Sequence, residues 1–331
     1  MNGHQSATDS TPTCDTTTSS AALKEFLNSI PKLAQLTDRF GNTFHFGNAG
    51  DYWTQAFGIG ANADYRTHTK DIRNMDIRDD DILICSYPKS GLHWHIEVIK
   101  MLLNQSKNLT DEDITGHCFL DAVPSELFSS FKTPRLLVTH VPFRHIPKQA
   151  LEKKIKILVL ERNPKDVLVS FYNHVYNHLP PLNYPGTFEQ FFQLYFEVGY
   201  LFGNIFDYVM EWQNGREANP QVHFLVSVFE DMKTDPVRGV KRLNTYLGSG
   251  CSDKLCEQIA AACSFEKMKK HKDETASPLM KSVFKHNKLA IYRKGEVGDW
   301  KNWFTEAMNE QFDQEYKKRM SDYKSVYKYT L

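Results

Sequence analysis

Four runs, ILICSY (82–87), RLLVT (135–139), IKILVLE (155–161) and VHFLVSV (222–228), are apolar almost from end to end. A strand wetted on one face alternates apolar and polar residues, so runs like these belong to strands covered on both faces. Helical stretches follow three of them: one reaches about Ser106, one begins near Pro164 and one starts at Pro236. Such an alternation predicts an α/β fold with a central parallel sheet flanked by helices. The 331 residues can bury a substantial core, and no Gly- or Pro-rich linker divides them. A single domain over 23–331 is the simplest organisation.

The flanks read differently. MNGHQSATDSTPTCDTTTSS is rich in Ser and Thr and lacks aromatics, so residues 1–22 are expected to be a disordered tail. The tail has no basic region followed by an apolar one, as a secretory signal would. AALKEFLNSIPKLAQL has helical spacing, and residues 40–78, rich in Gly, Asn and aromatics, read as an irregular segment packed over the domain.

No apolar run approaches the roughly 20 residues needed to span a bilayer, so no membrane partner is expected. Forty basic and 40 acidic residues cancel, which removes any global bias toward nucleic acid. An anion site must therefore be local. Six cysteines form no CxxC and no zinc-type cluster with histidine. Cys85, inside an apolar strand, reads as a buried free thiol. The cysteine usage fits a reducing compartment, hence a cytoplasmic protein.

Three stretches carry phosphate-type chemistry. SYPKSGLHW (86–94) is a strand, a turn and a helix start, a P-loop-like layout that aims backbone amides at one anion while Lys89 adds a full charge. Lys89 precedes Gly91 rather than following it, so this is not the usual nucleotide loop; a structural turn with a surface lysine fits equally. ERNPKDVLVSFYNH (161–174) puts Arg162 and Lys165 at a helix start, with Ser170 about two turns on. Alternatively, both cations pair with Glu161 and Asp166. YRKGEVGDWKNWF (292–304) offers Arg293, Lys294 and Gly295 to an anion, or is a solvated basic turn. Together the stretches suit a nucleotide phosphorylated at both ends of its ribose better than one triphosphate. The absence of GxxxxGK[ST] argues against a nucleotide kinase.

From about residue 40 to 320 the sequence resembles the cytosolic sulfotransferases, which use 3′-phosphoadenosine 5′-phosphosulfate (PAPS). The matching motifs are YPKSG followed by Trp94, PR…THVP (134–142), RNPKDVLVSFY (162–172), FEDMKTDP (229–236), SFEKMKK (264–270) and RKGEVGDWKNWFT (293–305). The resemblance implies that Lys89 meets the 5′-phosphosulfate and stabilises the leaving oxygen, while the amides of Ser90, Gly91, Leu92 and His93 cradle it. It implies that Trp94 stacks on adenine, a contact worth about 1–3 kcal/mol. Arg162 and Ser170, with Arg293, Lys294 and Gly295, would hold the 3′-phosphate, and Phe229 and Cys263 stand at further cofactor-binding positions. His140 would be the base; alone, a histidine after a strand reads as structural. No metal is implied.

The acceptor is expected to be a small apolar or aromatic molecule presenting a hydroxyl or amine. Phe44, Phe46, Trp53, Phe57, Phe143, Phe171 and Tyr172 lie near predicted site elements; most are expected in the core and a few at the pocket. Pocket residues fall in segments such as 40–78 and 271–290, where no spacing rule applies.

The departures from the family pattern are as informative. Two threonines are replaced by Leu92 and His93, a lysine by Val138, a tyrosine by Phe229 and a threonine by Cys263. Each lost hydrogen bond costs about 0.5–1.5 kcal/mol, unless, for instance, a protonated His93 restores a contact. The family's dimer motif appears as KNWFTEAMNE (301–310), with Glu306 where a valine is expected; this argues against that dimer though not every homodimer. The leading reading is a PAPS-dependent sulfotransferase. The alternative is a weakened or repurposed relative that binds adenosine 3′,5′-bisphosphate or a small ligand without turnover.

Overall fold

The computed structural model describes residues 24–109, 119–131, 133–324 and 327–330, so the expected 1–22 tail lies outside the described residues. Residues 24–29 are helical, but helical spacing does not continue through AQL. Pro31 intervenes, and β1 (Ala34–Thr37) pairs antiparallel with β2 (Thr43–Asn48). β2 pairs in turn with β3 (Trp53–Thr54), and α1 (Tyr65–Asn74) follows. The segment 40–78 is thus only partly irregular. Its strands are short and aromatic, and Phe44 and Phe46 are buried in the main core, Phe46 stacking on Trp53 at 4.3 Å.

The predicted parallel sheet is present. Its strands are β4 (Ile82–Ser86), β5 (Leu136–Thr139), β6 (Lys156–Glu161) and β7 (Phe224–Val228), in spatial order β5–β4–β6–β7 with every pairing parallel. Alternate residues of each strand feed opposite faces. Leu83, Cys85, Leu137, Ile157 and Val159 join one core with Phe171, Phe191 and Trp212. Ile82, Ile84, Val138, Leu158 and Leu160 join the other with Ile96, Ile99, Leu243 and Ile259. Both faces are therefore sealed, which is why the four runs carry almost no polar residues.

Helix starts follow local chemistry. α2 (Leu92–Leu103) follows the turn after β4, with Gly91 as its left-handed N-cap at φ 96°. α3 (Pro164–Tyr176) begins on Pro164, capped by Asn163, whose side chain accepts from the Asp166 amide at 2.9 Å. α4 (Phe188–Val198) and α5 (Ile205–Glu217) cover one face of the sheet. α6 (Phe229–Thr234), α7 (Pro236–Leu247) and α8 (Asp253–Ala262) follow β7. The stretch 271–290 is only partly irregular: it takes in the end of α9 (Phe265–Thr275) and α10 (Pro278–Ser282). α11 (Glu306–Arg319) closes the described fold.

The chain passes from β4 outward to β5 and then crosses back to β6 on the other side of β4. In open α/β sheets the crevice at such a reversal, outside the carboxyl ends of the strands, is where ligands bind. The opposite ends of β4 and β5 are fixed by Arg135, whose Nε and Nη2 donate to both oxygens of buried Asp81 at 2.8 and 2.5 Å. Nη1 reaches the Phe128 carbonyl at 3.0 Å and Nη2 that of Asp76 at 2.7 Å. Arg135→Met leaves the Asp81 carboxylate buried and unpaired, so it is expected to cost about 3–5 kcal/mol of unfolding free energy in denaturant titrations. A loss below about 1 kcal/mol would remove this anchor from the account.

Candidate active site

The turn between β4 and α2 is shaped by conformations that few side chains adopt. Lys89 has φ 71° and Gly91 φ 96°. At Gly91 an added Cβ would stand 2.8 Å from the Phe229 ring, so only glycine lets this turn approach α6. A left-handed lysine costs backbone energy, and such outliers gather at ligand sites. The Lys89 amine, half-buried, has no carboxylate partner among the described residues. Burial first, then the charges of Arg162 and Arg293, push its pKa down to about 7.

Arg162, at the end of β6, donates from Nη1 to the Lys89 carbonyl at 3.1 Å and from Nη2 to the Glu296 carbonyl at 3.0 Å. Its guanidinium lies 4.3 Å over the Phe229 ring. One residue thereby joins the first basic stretch to the third. The alternative pairing of Arg162 and Lys165 with Glu161 and Asp166 is not found. Lys165 turns away from the site to Asp313 at 2.5 Å and to the Trp300 and Tyr329 rings. Asp166 instead accepts from the amides of Gly298 at 2.7 Å and Trp300 at 2.9 Å, seating the late loop on the start of α3.

In that loop Arg293 and Lys294 each lie 2.5 Å from Asp299, which they hold down at a pKa of about 2 despite its burial. Gly295, at φ 66°, leaves no room for a Cβ, which would meet the Phe265 ring at 2.2 Å. The loop is therefore a charge-fixed strap rather than a freely solvated basic turn. The Nε atoms of Arg162 and Arg293 remain buried with no hydrogen-bond partner among the described residues.

His140 follows β5. Its ring Nδ1 lies 2.7 Å from the Ser86 carbonyl, and because a carbonyl only accepts, Nδ1 carries the proton. That fixes the tautomer with a lone pair on Nε2. Burial, with the Lys89 charge adding to it, lowers the pKa to about 4, so the ring is neutral near pH 7. The His140 amide donates to buried Asp121 at 3.0 Å, a carboxyl raised by burial to about 6, and the ring packs edge-on against Phe119 and Phe202.

Lys89, His140, Arg162 and the 293–295 loop line one cavity of about 620 Å³, together with Trp94, Ser170, Phe229 and Cys263. The Cys263 thiol points to the Met101 sulfur at 3.5 Å, so it adds wall rather than a donor. Burial drives the His93 pKa down to about 3, which rules against a protonated His93 as a substitute charge. Leu92 and Val138 are buried apolar residues of the second core. Of the aromatics singled out in the sequence only Phe57 lines the cavity; Phe171 and Tyr172 are core, and Phe143 packs on Trp212. The apolar end is built instead by Phe119, Leu279, Val283 and Phe284, with His174 and His178. The two histidines were legible in principle: they follow Ser170 at intervals of four, so His174 shares its helix face and His178 continues that line just past the helix end. His95 and the buried Glu97–Lys272 pair at 2.7 Å, which ties α2 to α9, carry no such signal.

A family model described as Sulfotransferase domain matches residues 79–324. Sulfotransferase 1B1 of Canis lupus familiaris is 35% identical over 268 residues, covering 78% of this chain and 89% of that protein. Sulfotransferase 1A1 of Rattus norvegicus is 34% identical, with coverages of 76% and 88%. The crystal structure of mouse sulfotransferase SULT7A1 complexed with PAP superposes with a TM-score of 0.65 at 26% identity, covering 87% of this chain and 96% of that one. Retinol dehydratase in a complex with retinol and PAP gives 0.68 at 20% identity, covering 94% and 96%, and supports the fold alone.

Gly91→Ala should destabilise the chain by at least about 1–3 kcal/mol, since it adds a strained φ to a ring clash. Thermal unfolding of the variant checks this, and an unchanged melting temperature would show that the turn is looser than described.

Proposed function

The chain belongs to the sulfotransferase family, and from that membership we propose that it transfers the sulfuryl group of PAPS to a hydroxyl, or an amine, of a small apolar acceptor. The observation that carries this reading is the electrostatics of the cavity. Lys89, Arg162 and Arg293 converge there, two of them with a buried Nε lacking an acceptor, and the amine of Lys89 is forced toward neutrality. Such a set of cations is costly until an anion arrives. A donor with one anionic group at each end of its ribose fits it.

When bound, PAPS supplies an electrophilic sulfuryl group on a phosphate leaving group. The residues that would hold it are Lys89 with the amides of Ser90 to His93 at the 5′ end, and Arg162, Ser170, Arg293, Lys294 and Gly295 at the 3′ end. Trp94 and Phe229, whose rings meet edge to face at 5.6 Å, offer the adenine two aromatic walls. Asp299 keeps Arg293 and Lys294 extended toward that end. Lys89 neutralises charge developing on the leaving oxygen.

His140 accepts the acceptor's proton at Nε2, the nitrogen left free by its bond to Ser86. A ring that stays neutral down to about pH 4 is ready to accept throughout the neutral range. Phe119 and Phe202 exclude water around it. The buried free thiols of Cys85, Cys251, Cys256 and Cys263 support a cytoplasmic setting. Glu306 stands exposed in the first turn of α11, where a carboxylate suits the helix dipole, and this favours a chain that does not use the family's dimer contact.

Calorimetric titration with PAP and activity assays with PAPS over phenols, alcohols, steroids and amines test the reading. The ligand-free Lys89 amine is mostly neutral above pH 7 and is charged against a phosphate, so binding at pH 7.5 should take up a sizeable fraction of a proton. Buffers of different ionisation enthalpy reveal that uptake, and Lys89→Met should abolish most of it. His140→Asn should lower kcat by about 10²–10⁴-fold while PAP affinity is retained. Full activity in either variant would defeat the assigned roles.

A further inference from the structure

We propose that His174 and His178 form a polar subsite at the apolar end of the cavity, which recognises a second neutral hydrogen-bonding group, a hydroxyl or carbonyl, on the acceptor. This rests on the sulfotransferase reading and narrows its acceptor class to molecules that are polar at two points.

Both rings line the cavity where its other walls are Phe57, Phe119, Leu279, Val283 and Phe284. In each ring Nδ1 is buried and has no well-formed hydrogen bond among the described residues; the His178 ring is only close enough to the His174 backbone for that group to offset part of the effect of burial. A buried polar atom left unsatisfied is uncommon and costs free energy. With Nδ1 enclosed by protein, Nε2 is the nitrogen each ring has left for a ligand. Two imidazoles kept in a pocket of phenyl and aliphatic groups are unfavourable packing unless something polar meets them.

The pair is also rigidly held. His178 is 3% exposed and stacks on Phe284 at 4.6 Å with an interplanar angle of 26°, and His174 meets its ring edge-on at 4.5 Å. Backbone bonds clamp this corner: the Leu179 amide donates to Val283 at 2.9 Å and the Lys285 amide to Asn177 at 2.8 Å. The rings thus need no rearrangement to meet a ligand, which lowers the cost of recognition. Helix α3 places His174 one turn beyond Ser170, and His178, just past the helix end, is held by an isolated antiparallel bridge to Phe284; both line the cavity.

Charge sets the class of group. Burial first, then the Lys89 charge, holds both imidazoles below their ordinary pKa, so both are neutral. The carboxylate residues of the cavity wall, Glu266 and Glu296, belong to the donor side: the Glu296 backbone carbonyl accepts from Arg162, and Glu266 follows Phe265, which packs on Gly295. Beside the Lys89 charge an ammonium group is disfavoured, and the neutral imidazoles offer a carboxylate no charge of their own. A hydroxyl or a carbonyl matches a ring that offers one nitrogen as donor or acceptor.

The test uses 4-alkylphenols of graded chain length, each with and without a terminal hydroxyl. Their binding to the PAP-loaded protein is measured by calorimetry, and their turnover with PAPS is measured separately. At the length that spans the cavity, the terminal hydroxyl should tighten binding by about three- to tenfold. His174→Phe and His178→Phe should each reduce that preference, and the double variant should remove it. His174→Asn and His178→Asn, which keep a polar atom, should retain part of it and serve where a phenylalanine variant fails to fold. PAP affinity reports that each variant is intact. No preference at any length, a preference that survives the double variant, or no phenol binding overturns the subsite. Selective binding without turnover of any phenol supports the subsite and defeats the transferase reading instead.

Discussion

The Arg162 guanidinium donates to the carbonyls of Lys89 and Glu296, and the geometry of the whole site hangs on that bridge. The two carbonyls belong to segments more than two hundred residues apart, the turn after β4 and the loop before α11. A planar, always-charged fork can satisfy both at once, whereas a lysine could offer only a point charge. Asp166 completes the arrangement from four residues further on, by accepting the Gly298 and Trp300 amides. The start of α3 therefore holds both ends of the donor side in register.

This arrangement gathers Lys89, Arg162 and Arg293 at one cavity, where Asp299 pairs with Arg293 but no carboxylate among the described residues pairs with Lys89. Burial first, with the neighbouring cations adding to it, drives Lys89 to about 7 and keeps His93, His140, His174 and His178 neutral. Burial beside one set of cations thus produces two different chemistries. At the donor end it makes an anion welcome; at the acceptor end it keeps imidazoles in the form that can accept a proton or share a hydrogen bond. Asp299 limits the repulsion by holding Arg293 and Lys294, which keeps the loop ordered while Arg293 still presents a buried Nε without a partner.

Much of this was legible in the chain because it is local. Apolar runs followed by Pro164 or Pro236 mark strand–helix joins, and the three basic stretches sit at or near such joins. What was not legible depends on contacts between distant segments. Val138 reads as the loss of a positive charge, but the pleat turns it into the second core. Lys165 reads as a cation at a helix entry, free for an anion or paired with Glu161 or Asp166, yet its helical position points it at Asp313 and the Trp300 ring. Most of the aromatics singled out read as core and a few as pocket, with no sign of which: Phe44 and Phe46 are core, since the short β1–β2–β3 sheet folds them inward, while Phe57 lines the cavity.

The sequence by itself determined the fold class, the strand–turn–helix joins and the residue types needed to grip an anion at two points, because periodicity and turn chemistry act over a few residues. Only the tertiary structure decided which nitrogen of His140 is free, which cations remain unpaired and which side chains wall the acceptor end. Those outcomes depend on burial and on partners supplied by other elements: the carbonyl of Ser86, the carboxylate of Asp299 and the ring of Phe284. No window of the chain contains them together.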